Sequence, residues 1–255
     1  DRYGTSLRKE QCCDVNIAYM EDLLDKAISL DNRSLAISRP PEKRVIACCR
    51  EFATLVCAIL RHKGIPARSR CGFSTYLALP GYFEDHWICE YWHAQEHRWV
   101  KVDPQIDPFQ QSFIAMKGNP LDLTHSEFLV AGEAWKVCRQ QQADPEKFGI
   151  ACDPQQFGLE TLYGLWFIRG NLLRDFAALN KIETVPFLAW VAKHLTWDSW
   201  RLVAAKDEEL SEHDYALLDS IAEFSCNPDV SFEQLQEFYQ THLDLQPPQD
   251  IIART

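Results

Sequence analysis

The chain contains 255 residues, of which 46% are hydrophobic and 25% are charged, and this composition excludes a disordered or fibrous protein. Its 26 basic and 37 acidic residues give a net charge of −11 at pH 7 without a basic stripe, so we expect no nucleic-acid partner. No uninterrupted apolar run approaches the roughly 18 residues of a membrane span, so we expect no membrane partner either.

Apolar periodicity predicts two helices in the first part of the chain, Val15–Ile28 and Cys49–Lys63. A connector with two adjacent prolines separates them, and such a pair does not fit a helix interior. Gly64 and Pro66 follow the second helix and mark its end. The sequence then changes to short segments rich in aromatic and β-branched residues, which predict antiparallel strands at Ala67–Tyr76, Asp85–His93 and Arg98–Val102.

The second half of the chain is predicted to be mostly helical, with helices at Ser126–Gln140, Gly158–Leu179, Phe187–His194, Glu212–Phe224 and Ser231–His242. Together with the preceding strands, these helices give an α+β fold. We divide it into a core, residues 1–125, and a helical extension, residues 126–255. We expect the extension to pack on the core and to form one wall of a substrate cleft, because no Gly-, Ser- or Pro-rich linker separates the two.

Some side chains of these regions are predicted to have structural roles only. Helical spacing places two tryptophans in a core, and two phenylalanines soon after the last predicted strand should also pack: Trp135, Trp166, Phe109 and Phe113. Three charged residues of the long helical stretch are expected to form a solvent-exposed face: Arg174, Asp175 and Glu183.

Ten cysteines are spread along the chain, and four of them form the adjacent pairs Cys12-Cys13 and Cys48-Cys49. This density is too low for a disulfide scaffold, and the Cys-x-x-Cys spacing of zinc sites does not occur. Most of the cysteines, Cys57 among them, should therefore be buried free thiols in a reducing compartment, which predicts a cytoplasmic protein.

Cys49 is the cysteine best placed to react, because it stands where a helix should begin. A helix N-terminus favours the thiolate and lowers the pKa of a cysteine. Its backbone N–H has no acceptor within the helix and could stabilise an oxyanion. Cys48 lies about 100° around the helix, so its side chain should point elsewhere.

His86 and Asp103 are the candidates for a base and for the group that orients it. If Ala94–His97 forms a hairpin loop, His93 pairs with Arg98, and this register places His86 and Asp103 on one face as diagonal neighbours. Each residue by itself is more often incidental than catalytic, and Asp before Pro is common at turns. The order Cys, His, Asp on helix, strand and strand favours a catalytic triad.

Three separated blocks of the sequence resemble the transglutaminase-like superfamily, and in particular bacterial proteins with a transglutaminase domain. The blocks are Cys49-Arg50-Glu51-Phe52-Ala53 with Gly64-Ile65-Pro66-Ala67-Arg68, then Asp85-His86-Trp87, then Trp99-Val100-Lys101-Val102-Asp103-Pro104. By this resemblance Cys49 is the nucleophile, His86 the general base and acid, and Asp103 the residue that orients the imidazole. It also implies a papain-like core with the cysteine helix on an antiparallel sheet.

The function that this resemblance implies is attack of the Cys49 thiolate on a carboxamide or peptide carbonyl, which gives a thioester that passes to an amine or to water. The substrate would be a protein, a peptide or a small amide, and this chemistry requires neither a cofactor nor a metal. The alternative is a binding or assembly module that keeps the fold without turnover. The presence of all three residues favours the enzyme.

Overall fold

The computed structural model of the chain describes residues 14, 17, 19–157, 159–182, 184 and 200–248. The α-helices are α1 (Met20–Leu30), α2 (Cys49–His62), α3 (Pro108–Phe113), α4 (Ala131–Arg139), α5 (Leu165–Leu179), α6 (Arg201–Ala204), α7 (Glu212–Cys226) and α8 (Phe232–Thr241). The strands are β1 (Ala67–Ser74), β2 (Phe83–His93), β3 (Arg98–Val102), β4 (Phe128–Val130) and β5 (Phe148–Gly149). The α+β fold is thereby confirmed.

The strands form one sheet in the order β3-β2-β1-β4, with antiparallel pairing throughout this path. β5 joins it by parallel pairing with the first two residues of β2. The β2–β3 register pairs His93 with Arg98 and Cys89 with Val102, which is the predicted register. β4 and β5 come from beyond residue 125, so the sheet contains strands from both sides of the division at residue 125. That division into a core and an extension stays a prediction.

Helix α2 packs on one face of the sheet and ends as the sequence predicts. Its buried residues Ala53 and Cys57 contact β1 and β2 in two small apolar clusters, so the prediction that Cys57 is a core residue is confirmed. Gly64 follows the helix with a φ of 74°, a left-handed conformation that a residue without Cβ adopts at little cost. This packing holds the N-terminus of α2 against β2.

The predicted helix Ser126–Gln140 is wrong at its start, because Phe128–Val130 is strand β4 and α4 begins at Ala131. The pairing of β4 with β1 depends on Gly72. A Cβ at that position would lie 2.1 Å from the Leu129 carbonyl oxygen, so only glycine allows the two strands to approach this closely.

The remaining helices agree with the predictions to different extents. The predicted helix Gly158–Leu179 begins only at Leu165, after Gly164 with a φ of 120°. The short helix α3 was not predicted, and the predicted helix Phe187–His194 lies outside the described residues. In the part of the chain that the structure describes, no helix is long and apolar enough to cross a membrane.

The largest apolar cluster lies between β1 and helices α4, α5 and α7, and it contains Phe73, Trp135 and Phe176. Trp135 is fully buried and Trp166 packs at the edge of the cluster, so their predicted core role is confirmed. The predicted packing role of Phe109 and Phe113 is wrong, since their side chains are 47% and 58% exposed.

The expectation that Arg174 and Asp175 lie on a solvent-exposed face is also wrong. Both are buried on the side of α5 that contacts the sheet, where each has a partner of opposite charge. Burial of a charge is tolerated when it is paired and hydrogen-bonded, so a polar sequence pattern did not mark a solvated face here. Glu183 lies outside the described residues.

Candidate active site

His86 of β2 and Asp103, directly after β3, are in contact. The His86 Nε2 lies 2.7 Å from the Asp103 Oδ2, and both side chains are buried. The contact follows from the register of the β2–β3 hairpin, which places the two residues on one face. Since an ionised carboxylate only accepts hydrogen bonds, this geometry assigns the imidazole proton to Nε2 and leaves Nδ1 free to accept another.

The Asp103 carboxylate receives two further hydrogen bonds. The Gln105 backbone N–H donates to Oδ1 at 3.0 Å, and the Tyr76 hydroxyl donates to Oδ2 at 2.7 Å. Burial acts to raise the pKa of Asp103, but the His86 imidazole and these donors outweigh it and hold the pKa below its usual range. Sequence reasoning missed Tyr76, since it lies in the loop after β1 and belongs to none of the three blocks.

Cys49 is the first residue of α2, as predicted, and its thiol lies against β2 at Trp87. On one edge of β2, β5 pairs with the start of the strand and β3 pairs with its end, which leaves residues 85–88 between them. The Trp87 backbone N–H donates to the Cys49 thiol in this gap. The nucleophile candidate therefore contacts the residue next to His86.

The side chain of Cys48 does not point elsewhere, contrary to our expectation. Its thiol forms a hydrogen bond with that of Cys49 and also lies 2.9 Å from the Glu51 Oε2. The same carboxylate oxygen accepts the Cys48 backbone N–H at 2.9 Å, so Glu51 closes the first turn of α2. Because Cys48 is the extended residue before the helix, helical spacing did not apply to it.

The expected low pKa of Cys49 is wrong for this structure. The hydrogen bond with Cys48, burial and the negative charge of Asp85 raise the pKa of the thiol well above its usual range, against the lowering effect of the Trp87 N–H. Among the described residues, no hydrogen bond joins the thiol to the His86 imidazole. Cys49 is thus a neutral thiol next to a base that it does not yet contact.

Helix α5 of the second half reaches this site through Asp85. The Asn171 Nδ2 donates to the Asp85 Oδ1 at 2.7 Å, and the Arg174 Nη2 lies 3.5 Å from the same oxygen. Asn171 and Arg174 also bond to each other. Ala178, one turn further on, packs against the small apolar cluster that Cys49 adjoins. A helix from beyond residue 125 therefore lines the surroundings of the thiol.

Glu84 adds a titratable group on the same strand. Its carboxylate accepts the Ala151 backbone N–H at 3.0 Å. Burial raises the pKa of Glu84 to about 7, although the hydrogen bond from Ala151 and the nearby His86 act in the opposite direction. Within the described residues, no three His, Cys, Asp or Glu side chains are grouped as a metal site requires.

Comparison with known proteins gives one match. Residues 30–104 match the family model of the transglutaminase-like superfamily, and this range includes Cys49, His86 and Asp103. No curated protein and no solved structure matches the chain significantly. Members of this superfamily usually carry out cysteine-based acyl transfer or hydrolysis. The segment of residues 30–104 is therefore similar to the transglutaminase-like superfamily.

Proposed function

We propose that this protein is a cysteine-dependent enzyme that acts on a carboxamide or peptide bond through a thioester at Cys49. The substrate is a protein, a peptide or a small amide, and the acyl group passes to an amine or to water. The observation that carries the proposal is the buried hydrogen bond between His86 Nε2 and Asp103 Oδ2, because it leaves Nδ1 of the imidazole as a base, one residue from the Trp87 N–H that the thiol contacts.

The first half of the reaction forms the thioester. The thiol leaves the Trp87 N–H by rotation about its Cα–Cβ bond and gives its proton to His86 Nδ1 as Sγ attacks the carbonyl carbon. Because the pKa of Cys49 is raised, this proton transfer accompanies the attack and no stable thiolate precedes it. The carbonyl oxygen becomes an oxyanion that the Cys49 backbone N–H stabilises, as a first-turn N–H without an acceptor in the helix.

The second half transfers the acyl group. The imidazolium protonates the leaving nitrogen, the carbon–nitrogen bond breaks, and ammonia or an amine departs. Water or a second amine then loses a proton to His86 and attacks the thioester. The carbon–sulfur bond breaks, and the imidazolium returns the proton to Sγ, which restores the thiol and the neutral imidazole. Asp103 stabilises the imidazolium in both halves. The proton transfers and the covalent intermediate use only side chains of this chain.

The proposed compartment is the cytoplasm. All eight described cysteines are free, which suits a reducing compartment.

A non-catalytic binding module is the second candidate function. The raised pKa of Cys49 and its hydrogen bond with Cys48 favour this alternative, since a module without turnover has no need of a reactive thiol. The two candidates differ in a covalent intermediate, which only the enzyme forms.

The test is a comparison of Cys49→Ala with Cys48→Ala on glutamine- and asparagine-containing peptides, with and without a fluorescent primary amine. We expect wild type and Cys48→Ala to release ammonia and to form an acyl adduct on Cys49, detected by intact-protein and peptide mass spectrometry. Cys49→Ala should give neither product while keeping its unfolding temperature. Activity that survives in Cys49→Ala, or a wild-type protein without any adduct or product, would overturn the proposal.

A further inference from the structure

Tyr76 lies against two members of the proposed triad. Its hydroxyl donates to the Asp103 Oδ2 at 2.7 Å, and this is the oxygen that His86 Nε2 contacts at the same distance. Its ring meets the imidazole edge-on, with centroids 6.1 Å apart and an angle of 86° between the planes. The tyrosine therefore touches the carboxylate with its polar end and the imidazole with its ring.

The hydrogen bonds to Asp103 account for the orientation of its carboxylate. Oδ1 accepts the Gln105 N–H, and Oδ2 is shared between His86 and Tyr76. Burial and the negative charge of Asp103 raise the pKa of Tyr76, so its hydroxyl keeps its proton and remains a donor. A carboxylate held by three donors has one orientation, which aims Oδ2 at the imidazole.

The position of Tyr76 itself is fixed from both sides. Its ring packs on the apolar cluster that contains Ile88 and Phe128. The backbone of the preceding residue is tied to the start of β4, where the Thr75 N–H donates to the Glu127 carbonyl oxygen at 3.0 Å. The hydroxyl is thus a preorganised donor that needs no rearrangement to reach Asp103.

We propose that Tyr76 is a positioning residue of the triad, whose hydroxyl holds the Asp103 carboxylate and shares its negative charge with His86. This inference rests on the proposed function. Without the hydroxyl, more of the charge on Oδ2 is available to the imidazole, which favours the imidazolium. His86 then becomes a proton acceptor only at higher pH. In the pH–rate profile of any reaction that uses His86 as a base, loss of the hydroxyl should therefore move the acid limb to higher pH.

Several charged or titratable groups face His86 from the elements around it. Asp103 and Tyr76 contact it directly, and the thiol of Cys49 of α2 contacts the backbone N–H of the next residue, Trp87. On its own strand, Glu84 and Asp85 flank it, and Asp85 is paired with Arg174 of α5. Since Glu84 has a pKa near 7, the experiment includes Glu84→Gln to separate its titration from that of His86.

The experiment measures the rate at which iodoacetamide alkylates Cys49, followed by peptide mass spectrometry from pH 5 to 10. The variants are Tyr76→Phe, Glu84→Gln and, as a matched control, Tyr82→Phe, which removes a hydroxyl that lies 3.1 Å from Lys147 Nζ, away from the triad. We expect Tyr76→Phe to move the acid limb upward by about 0.5–1 pH unit, and alkylation at the wild-type midpoint to become roughly three- to tenfold slower. Tyr82→Phe should superimpose on wild type.

A second measurement does not depend on the thiol. In Cys49→Ala protein with ¹⁵N-labelled histidine, the NMR titration midpoint of His86 should rise when Tyr76→Phe is added. Unchanged midpoints in both measurements would overturn the inference and make Tyr76 a packing residue. The variant His86→Gln distinguishes a failure of the proposed function from a failure of the role proposed for Tyr76. If it leaves the alkylation profile of Cys49 unaltered, the proposed function fails, whereas an altered profile together with a silent Tyr76→Phe overturns the role of Tyr76 alone.

Discussion

Asp175 of α5 binds Arg70 of β1 through both carboxylate oxygens, with Oδ1 3.0 Å from Nε and Oδ2 2.9 Å from Nη2. Oδ1 also accepts the Cys71 backbone N–H at 2.8 Å, at a position of β1 that β4 does not pair. The Arg70 guanidinium also donates to the Glu90 carboxylate and to the Ser225 carbonyl oxygen. One carboxylate from the second half of the chain therefore satisfies an arginine and a strand edge in the first half.

Asp175→Ala should strongly destabilise the fold, because it leaves the Arg70 guanidinium buried with one carboxylate fewer. Loss of one partner of a buried pair costs about 3–5 kcal/mol. Urea unfolding followed by tryptophan fluorescence gives the free energy of unfolding. Asp122→Ala is the matched control, since it removes an exposed carboxylate that pairs with Arg98 in the same two-point manner. Equal effects of the two substitutions would contradict this prediction.

The two halves should not separate on limited proteolysis. The sheet includes strands from beyond residue 125, and the Arg70–Asp175 pair crosses the division. A fragment of the first half would therefore expose an arginine that has lost one of its two carboxylates, together with an open strand edge. We expect brief treatment with trypsin or subtilisin to give either intact protein or small peptides. A stable folded fragment that ends between Gln110 and Thr124 would instead demonstrate two independent domains.

Asp85→Asn should make Cys49 more reactive at neutral pH. The hydrogen bond with Cys48 and burial raise the pKa of Cys49, and the charge of Asp85 adds to their effect. Removal of that charge should lower this pKa and move the alkaline limb of the alkylation profile to lower pH. Rates of iodoacetamide modification at Cys49, measured between pH 7 and 10, test the direction. Asp122→Asn serves as the control for a surface charge. Alkylation of Asp85→Asn that is as slow as in wild type would show that another group sets this pKa.

Glu84→Gln should stabilise the protein above neutral pH. The carboxyl has a pKa near 7 in the folded state, above that of an unfolded glutamate, so its contribution to stability is present at pH 4 and is lost as the pH rises to about 8. Glutamine keeps an acceptor for the Ala151 N–H without this loss. After allowance for solvent screening we expect a gain of about 1–2 kcal/mol at pH 8 and little at pH 4.5.

The pH dependence is what identifies the cause of the Glu84→Gln effect. Thermal unfolding is measured at both pH values, with Glu237→Gln on the exposed surface of α8 as the control. This control separates the effect of the Glu84 titration from a general effect of lower net charge. A stabilisation of equal size at pH 4.5 and pH 8 would mean that the titration of Glu84 is not its source.

The parts of the fold that depend on local interactions could be predicted from the sequence. The α2 helix from Cys49 onward follows from its apolar stripe and the glycine that ends it, and the β2–β3 register follows from a four-residue loop. Because side chains alternate along a strand, this register also placed His86 beside Asp103. The sequence alone therefore determined the α+β class, the similarity of residues 30–104 to the transglutaminase-like superfamily, and the contact between these two residues.

The tertiary structure decided everything that depends on neighbours distant in sequence. Tyr76 reaches Asp103 across 27 positions, and Asp175 reaches Arg70 across 105, so neither partner has a local signal. The hydrogen bond with its neighbour Cys48, burial under distant segments and the charge of Asp85 on another element raise the pKa of Cys49, although a helix N-terminus alone would lower it. Periodicity reports which residues share a face, whereas burial, pairing and electrostatic potential exist only once distant segments pack together.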